Sequence, residues 1–250
     1  MNPFRLRDKK ILITGASSGI GRATAIACDE QGANLILIGR DQERLTNTLN
    51  LLSNNIHKIL LVDLTDFEAL SRKLRLLLND VDVIDGLVNA AGITSTLPFR
   101  IFKPKKLEEI LKINVTAAFF ITKLLLPKIN NEGASIVFIS SVMSNVGEKG
   151  KTLYSITKGA VSAGARSLAL EYASKKVRVN TIAPGIVNTP MTKNATYKID
   201  QELFNRTLEK YPLGFGEAKD VAFACVFLLS DESKWMTGTE ITIDGGYSAK

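Results

Sequence analysis

The order of apolar patterns in this sequence predicts an α/β fold: a doubly wound parallel sheet of about seven strands with helices on both faces. Three observations lead there. Short continuous apolar runs alternate with helically spaced ones along most of the chain, a glycine-rich turn follows the first run, and no Gly/Ser/Pro-rich linker or long charge run divides the 250 residues.

Lys10 to Thr14 is the first short apolar run; it ends at Gly15 and leads into a helical pattern with Ile20, Ala23, Ala27 and Cys28 on one face. Asn34 to Ile38 is apolar enough for a strand buried on both sides, and Gln42 to Leu52 returns to helical spacing through Leu45, Leu49 and Leu52. Lys58 to Val62 is the third strand, Phe67 to Leu78 a helix, Gly86 to Asn89 a short fourth strand, and Lys105 to Leu126 a long helix stopped near Pro127. Ser135 to Ser140 is the fifth strand, Tyr154 to Ala173 a long helix, and Val177 to Ile182 the sixth strand. After Pro184 the pattern loosens: Gly185 to Gly216 is irregular or partly helical, then come a helix at Ala218 to Leu229 and a last strand near Glu240 to Ile243. Helical crossovers between parallel strands are right-handed, and such sheets take ligands beyond the strands' carboxyl ends, so a long excursion there is expected to be a substrate lid, at about residues 186–216.

Composition narrows the function classes. With 45% hydrophobic and 23% charged residues the chain has material for one sizeable core. The charged stretch Met1 to Lys10 lacks the apolar core of an export signal, and Val115 to Ile121 and Leu124 to Leu126 are broken by Lys123 and Pro127, so a cytoplasmic protein that neither enters nor spans a membrane is expected. Cys28 and Cys225, each in an apolar helical pattern, read as two buried thiols rather than a disulfide framework or a metal site. The single histidine, His57, lies on a polar stretch between Asn55 and Lys58; no His-rich metal cluster is possible, and no metal is expected. The net charge of +7 is scattered among acidic residues rather than gathered in a stripe, which argues against nucleic acid as partner. Arg100 to Lys106 (RIFKPKK) is the densest basic segment, suited to steering an anion or simply exposed at the entry to a helix.

The first chemical signal is Thr14-Gly15-Ala16-Ser17-Ser18-Gly19-Ile20-Gly21, where a strand turns into a helix. Glycines there allow a tight turn and a close approach of backbone to phosphate, and the helix start offers free N–H groups to a pyrophosphate. At the end of the second strand the sequence reads Gly39-Arg40-Asp41. Glycine stands where a carboxylate would hold both ribose hydroxyls, and Arg40 offers a planar cation suited to a 2′-phosphate, which favours NADP(H) over NAD(H). Two alternatives stay open: Asp41 takes the ribose and the cofactor is NAD(H), or Asp41 caps the next helix. The second signal is Tyr154 and Lys158, four residues apart at the start of a helix and therefore on one face. A phenol is a poor base at neutral pH unless a neighbouring cation favours the phenolate, so the pair makes sense as acid and base.

Together these motifs resemble the short-chain dehydrogenase/reductase family almost end to end, in particular its 3-oxoacyl-(acyl-carrier-protein) reductase-like members. Asp63 follows the third strand, Asn89-Ala90-Ala91-Gly92 the fourth, Asn114 lies in the long helix, Ser140-Ser141 end the fifth strand, and Pro184-Gly185 follow the sixth, each in family order. The resemblance implies one Rossmann-like dinucleotide-binding oxidoreductase domain over residues 1–250. It implies Tyr154 as general acid in reduction, Ser141 as hydrogen-bond partner of the substrate oxygen, and Lys158 as holder of the nicotinamide ribose. Asn114 would anchor a water that joins Lys158 to solvent. Ser141, thirteen residues before Tyr154, is preferred to Ser140, which remains the fallback.

The same likeness places Gly15, Ser17, Ser18, Gly19 and Ile20 on the cofactor phosphates, Asp63 and Leu64 at the adenine edge, Asn89 and Ala90 on the adenosine side, and Val187 with Thr189 at the carboxamide. Asn89 to Gly92 are alternatively a brace of the sheet, and Asn114 alternatively a partner for backbone groups. The expected activity is reduction of a ketone or 3-oxoacyl thioester by NADPH. The alternatives are NAD(P)-dependent oxidation of a secondary alcohol, steroid or sugar, and a non-catalytic redox sensor. Carrier-protein reductases often carry a basic residue shortly before the fifth strand; here Glu132 stands there, with Lys128 and Lys175 nearby, which weighs against a carrier-protein substrate. Val142, Met143, Val146, Ile186 and Met191 are candidates for an apolar pocket lining or for local core. The family implies a homo-oligomer, commonly a tetramer, built on the helices at Lys105 to Leu126 and Tyr154 to Ala173.

Overall fold

The computed structural model describes residues 4–53, 56–130, 132–193, 195–198 and 200–249; Asn55, named above, and residues 194 and 199 of the expected lid lie outside them. Seven parallel strands form one sheet: β1 (Lys10–Thr14), β2 (Asn34–Gly39), β3 (Lys58–Leu61), β4 (Gly86–Asn89), β5 (Ala134–Ile139), β6 (Val177–Pro184) and, after two short strands considered below, β9 (Glu240–Ile243). Their spatial order is β3-β2-β1-β4-β5-β6-β9. The chain therefore winds outward one way from β1 to β3, crosses back to β4 and winds the other way. The reversal lies between β1 and β4, where Thr14 pairs in register with Asn89.

Helices cover both faces because neighbouring strand residues point opposite ways. Leu12, Leu87, Ile136 and Phe138 meet α3 (Phe67–Asn79), α5 (Ala117–Leu125) and α6 (Thr152–Tyr172) through Leu70, Leu74, Ile121, Leu125, Val161 and Ala165. On the other face Ile11, Ile13, Leu35 and Val137 meet α1 (Gly19–Glu30), α2 (Gln42–Leu49) and α8 (Ala218–Leu229) through Ala25, Cys28, Leu45, Val221 and Cys225. The thiols of Cys28 and Cys225 are both buried between the packed helices α1 and α8, where burial holds each above its ordinary pKa.

Several expectations are refined. The helix expected over Lys105 to Leu126 is α4 (Pro104–Leu111), a wider π-helical turn at Lys112–Thr116, and then α5. The helical run Pro104–Lys128 is long and apolar enough to cross a membrane, with a mean hydropathy of 1.5, a length that the separate apolar windows conceal. Its residues Ala118, Ile121 and Leu125 instead belong to the core against the sheet. His57 is not on a polar surface: it is buried, its Nδ1 accepting from the Leu35 amide at 3.1 Å and its Nε2 lying 2.9 Å from Asp29 Oδ1.

The segment expected to be a lid contains β7 (Val187–Asn188), which pairs with β8 (Gly216–Glu217), and α7 (Gln201–Leu208) between them. Aromatic packing closes it. Phe215 meets Tyr197, Phe204 and Tyr211 at ring separations of 5.3 to 5.6 Å, and Tyr211 stacks on Tyr247 of the last residues at 4.7 Å.

Candidate active site

Everything the sequence singled out as chemical gathers at the carboxyl ends of the strands. Gly15 leaves β1 with φ +68°, a conformation costly for other residues, and an added Cβ would lie 2.9 Å from the Ala91 backbone. At Gly21 a Cβ would run into the Gly15 carbonyl group. Gly19 faces the Thr189 side chain, so the turn after β6 lies beside the glycine loop. Ser18 precedes α1 in extended conformation but makes no side-chain cap, whereas Asp41, Asp66 and Asp200 accept from the first turns of α2, α3 and α7. With no acidic residue in its first turn either, α1 keeps its N–H groups and positive dipole end for something else. Residues Gly15 to Ile20 thus fit a dinucleotide pyrophosphate.

Thr14 ties the two strands at the reversal: its Oγ1 accepts from the amides of Ala90 and Ala91 at 3.1 and 3.2 Å. Asn89 is buried and donates to Thr122 Oγ1 at 3.2 Å, but its Oδ1 is buried without a partner. Asn89 thus braces the sheet and also holds a buried acceptor with no partner. At the adenosine corner Arg40 is exposed beyond β2. Asp41 Oδ1 caps α2 by accepting from the Arg44 amide at 3.0 Å, and Oδ2 lies 3.2 Å from Arg44 Nε. Asp63 accepts from Thr65 N and Oγ1, both at 2.8 Å, and those bonds, with Arg40 and Lys112, hold its carboxyl below the usual range.

The two serines at the end of β5 have different surroundings. Ser140 Oγ is 2.7 Å from Ser162 Oγ and donates to the Lys158 carbonyl at 3.2 Å, a buried clasp between sheet and α6. Ser141 starts the short turn Val142–Ser144, accepting from the Met143 amide at 3.2 Å, and its hydroxyl acts on the Tyr154 phenol. Burial pushes that phenol up to about 12, and Ser141 opposes the rise. Lys158 Nζ lies 5.6 Å from the Tyr154 ring centroid and donates to the Ile139 carbonyl at 2.8 Å; burial pulls its pKa down to about 8. Asn114 sits within the π-helical turn, its Oδ1 accepting from Ile93 N at 2.8 Å and its Nδ2 donating to Ile93 O and Thr157 Oγ1. The wider turn carries the residue whose amide meets the loop after β4. Backbone satisfaction is thus one role of Asn114; a Cβ on Gly92 would lie 3.1 Å from its Oδ1 and 3.8 Å from Lys158 Nζ.

Val142 and Met143 are buried, and Met191 is exposed. Val187 is buried and Thr189 is held by Thr192. Two residues that sequence reasoning passed over belong to this region. Lys151, one turn before Tyr154, has its ammonium 5.9 Å from the same ring; the i−3 spacing was the available signal. Glu240, at the start of β9, accepts from Ser144, Asn145, Ser162 and Thr181, fastening the Ser141 turn to α6 and β6. No local pattern could have linked it to residues 59 to 96 positions away.

Comparison with known proteins agrees with this arrangement. A family model described as enoyl-(acyl carrier protein) reductase matches residues 15–248. The chain is 34% identical over 247 residues to the 3-oxoacyl-(acyl-carrier-protein) reductase FabG of Thermotoga maritima, covering 97% of this chain and 99% of that one. It is 32% identical to the NADP-dependent (R)-specific alcohol dehydrogenase of Lentilactobacillus kefiri, covering 98% and 99%. Among solved structures, a putative short-chain alcohol dehydrogenase from Sinorhizobium meliloti superposes with a TM-score of 0.91 at 33% identity over the whole of both chains. A putative 2-deoxy-d-gluconate 3-dehydrogenase from Agrobacterium tumefaciens with bound NADP does so with 0.89 at 30%, again over the whole of both chains. With sequence motifs, strand order and these full-length likenesses in agreement, the chain belongs to the short-chain dehydrogenase/reductase family and is an NAD(P)-dependent oxidoreductase.

Proposed function

We propose that the protein reduces a ketone or 3-oxoacyl-type carbonyl to an alcohol with NADPH, using Tyr154 as the proton donor. The observation that carries this is the grouping of the Tyr154 phenol with the Ser141 hydroxyl at the end of β5 and the Lys158 ammonium, 5.6 Å from the ring centroid, one turn along α6. When bound, the nicotinamide supplies the hydride. Ser141 hydrogen-bonds the substrate oxygen, Tyr154 delivers its proton to the developing alkoxide, and Lys158 holds the cofactor ribose and favours the phenolate left behind. Asn114 keeps the Ile93 loop in place and anchors the water through which the proton is restored.

The cofactor is held by Gly15, Ser17, Ser18, Gly19 and Ile20 at its phosphates, Asp63 and Leu64 at the adenine, Asn89 and Ala90 along the adenosine, and Val187 and Thr189 at the carboxamide. NADP(H) is preferred because Arg40 is free to meet a 2′-phosphate while Asp41 is spent on capping α2. Residues 186–216 act as a substrate lid in a single domain over residues 1–250. A cytoplasmic location supplies the NADPH, and exposed Ile156 and Leu170 on α6 support assembly into a homo-oligomer, a tetramer by family likeness. A small-molecule carbonyl or an acyl thioester is the substrate class; Glu132 before β5 does not favour a carrier protein.

Oxidation of a secondary alcohol is the same chemistry reversed, and three of the similar proteins above, named as dehydrogenases, favour it as the second reading. The test is Tyr154→Phe, which removes the acidic proton and leaves the ring. Turnover falls about 10²–10⁴-fold while NADPH binding is kept; unchanged turnover overturns the assignment.

A further inference from the structure

Tyr154 has a cation on each side, and the proposed mechanism uses only one of them. Lys158 is engaged with the Ile139 carbonyl. Lys151 approaches the same ring from the helix start, its Nζ 5.9 Å from the centroid, and it is steered there by Thr96 Oγ1 at 2.6 Å and Thr94 Oγ1 at 3.5 Å. Those threonines stand on the exposed loop after β4, at the mouth of the site. Two neutral hydroxyls do not neutralise an ammonium, and Lys151 makes no ion pair within 4 Å among the described residues. Burial lowers its pKa, and the Glu148 charge opposes that fall.

Thr94 and Thr96 thus hold the Lys151 ammonium beside the Tyr154 ring with no carboxylate within 4 Å of it among the described residues. A ketone carrying an anionic group on one arm has one favourable orientation here, with the anion toward Lys151.

We propose that Lys151, with Thr94 and Thr96, is an anion subsite that selects ketones bearing a carboxylate or phosphate group near the reacting carbonyl. This rests on the carbonyl-reductase assignment above and specifies its substrate class. A charge-assisted bond made by a partly desolvated ammonium is among the stronger polar contacts, enough for a discrimination of about tenfold or more.

The experiment measures NADPH-dependent kcat/KM for 3-, 4- and 5-oxo acids, their methyl esters, and a hydroxyketone with its phosphate monoester, in the wild type, Lys151→Met and Lys151→Arg. The readout is the ratio of anion to neutral analogue, which a general loss of activity does not move. The expected result is a wild-type ratio above about 10 for one anion, falling about tenfold in Lys151→Met through KM and largely recovered in Lys151→Arg. The oxo-acid and phosphate arms show which anion is accepted. A ratio near one in the wild type, or one unchanged in Lys151→Met, overturns the subsite and leaves the reductase assignment standing. Reduction of neither anion nor ester overturns both.

Discussion

The two ends of the sheet treat polar groups in opposite ways. At the amino ends, charges and dipoles are paired. Asp29 meets His57 and accepts from Ser53 N and Oγ, Asp85 accepts from the Lys10 amide and from Asn130, and Lys9 pairs with Asp231 at 2.5 Å. At the carboxyl ends the pairing is less complete and burial weighs more. The α1 start is uncapped, Asn89 Oδ1 has no partner, and burial pushes the Tyr154 phenol up to about 12 and the Lys158 ammonium down to about 8. The difference supports the proposed division between residues that hold the fold and residues that serve ligand and chemistry. It also disposes of His57 as a catalytic base, since that ring sits at the start of β2, away from Ser141 at the end of β5.

Four substitutions probe the contrast, the largest effect first. Lys158→Met is expected to lower turnover about 10²–10³-fold and yet stabilise the cofactor-free protein at pH 7 by about 1–3 kcal/mol. The sign follows from the depressed pKa. Below pH 8 the lysine is protonated folded and unfolded, and the burial penalty is present in full; between 8 and its ordinary 10.5 only the unfolded chain holds the proton, so wild-type stability rises with pH. Denaturant melts from pH 7 to 10 should see the variant's advantage shrink as pH increases. Arg40→Ala should raise KM for NADPH about 10–100-fold with little change for NADH; equal losses would remove the phosphate role.

Asp29→Ala leaves His57 and Ser53 short of an acceptor at the other end of the sheet. It should cost about 2–3 kcal/mol in chemical denaturation with kcat preserved; a matching loss of kcat would break the contrast between the two ends. Glu240→Gln, which keeps the size but weakens the bonds to Ser144, Asn145, Ser162 and Thr181, should lower kcat about three- to tenfold with KM for NADPH unaltered.

How much of this was legible in the sequence depends on the range of the forces involved. The strand and helix order, the glycine turn and the Tyr154–Lys158 pair follow from short-range rules, and they stand where periodicity placed them. Ser141 was preferred to Ser140 by its spacing from Tyr154, but the clasp of Ser140 to Ser162 on α6 is a tertiary contact that no local pattern carries. The π-helical turn around Asn114 carries no distinctive residue type, so the expected helix ran straight through it. His57 read only as part of a polar stretch, because the partner that it meets in the interior, Asp29, is 28 residues away on another element. The lid lacked a readable pattern because it is shaped by ring packing between Tyr197, Phe204, Tyr211, Phe215 and Tyr247 rather than by local propensity.

The central claim is NADPH-dependent carbonyl reduction, and the most direct measurement follows cofactor absorbance and alcohol formation by the wild type on a panel of ketones and 3-oxoacyl thioesters, with NADPH and NADH in parallel. The account predicts stoichiometric conversion of at least one carbonyl, with kcat/KM for NADPH above that for NADH by about tenfold or more. Turnover of no carbonyl, or equal or better use of NADH, would contradict it.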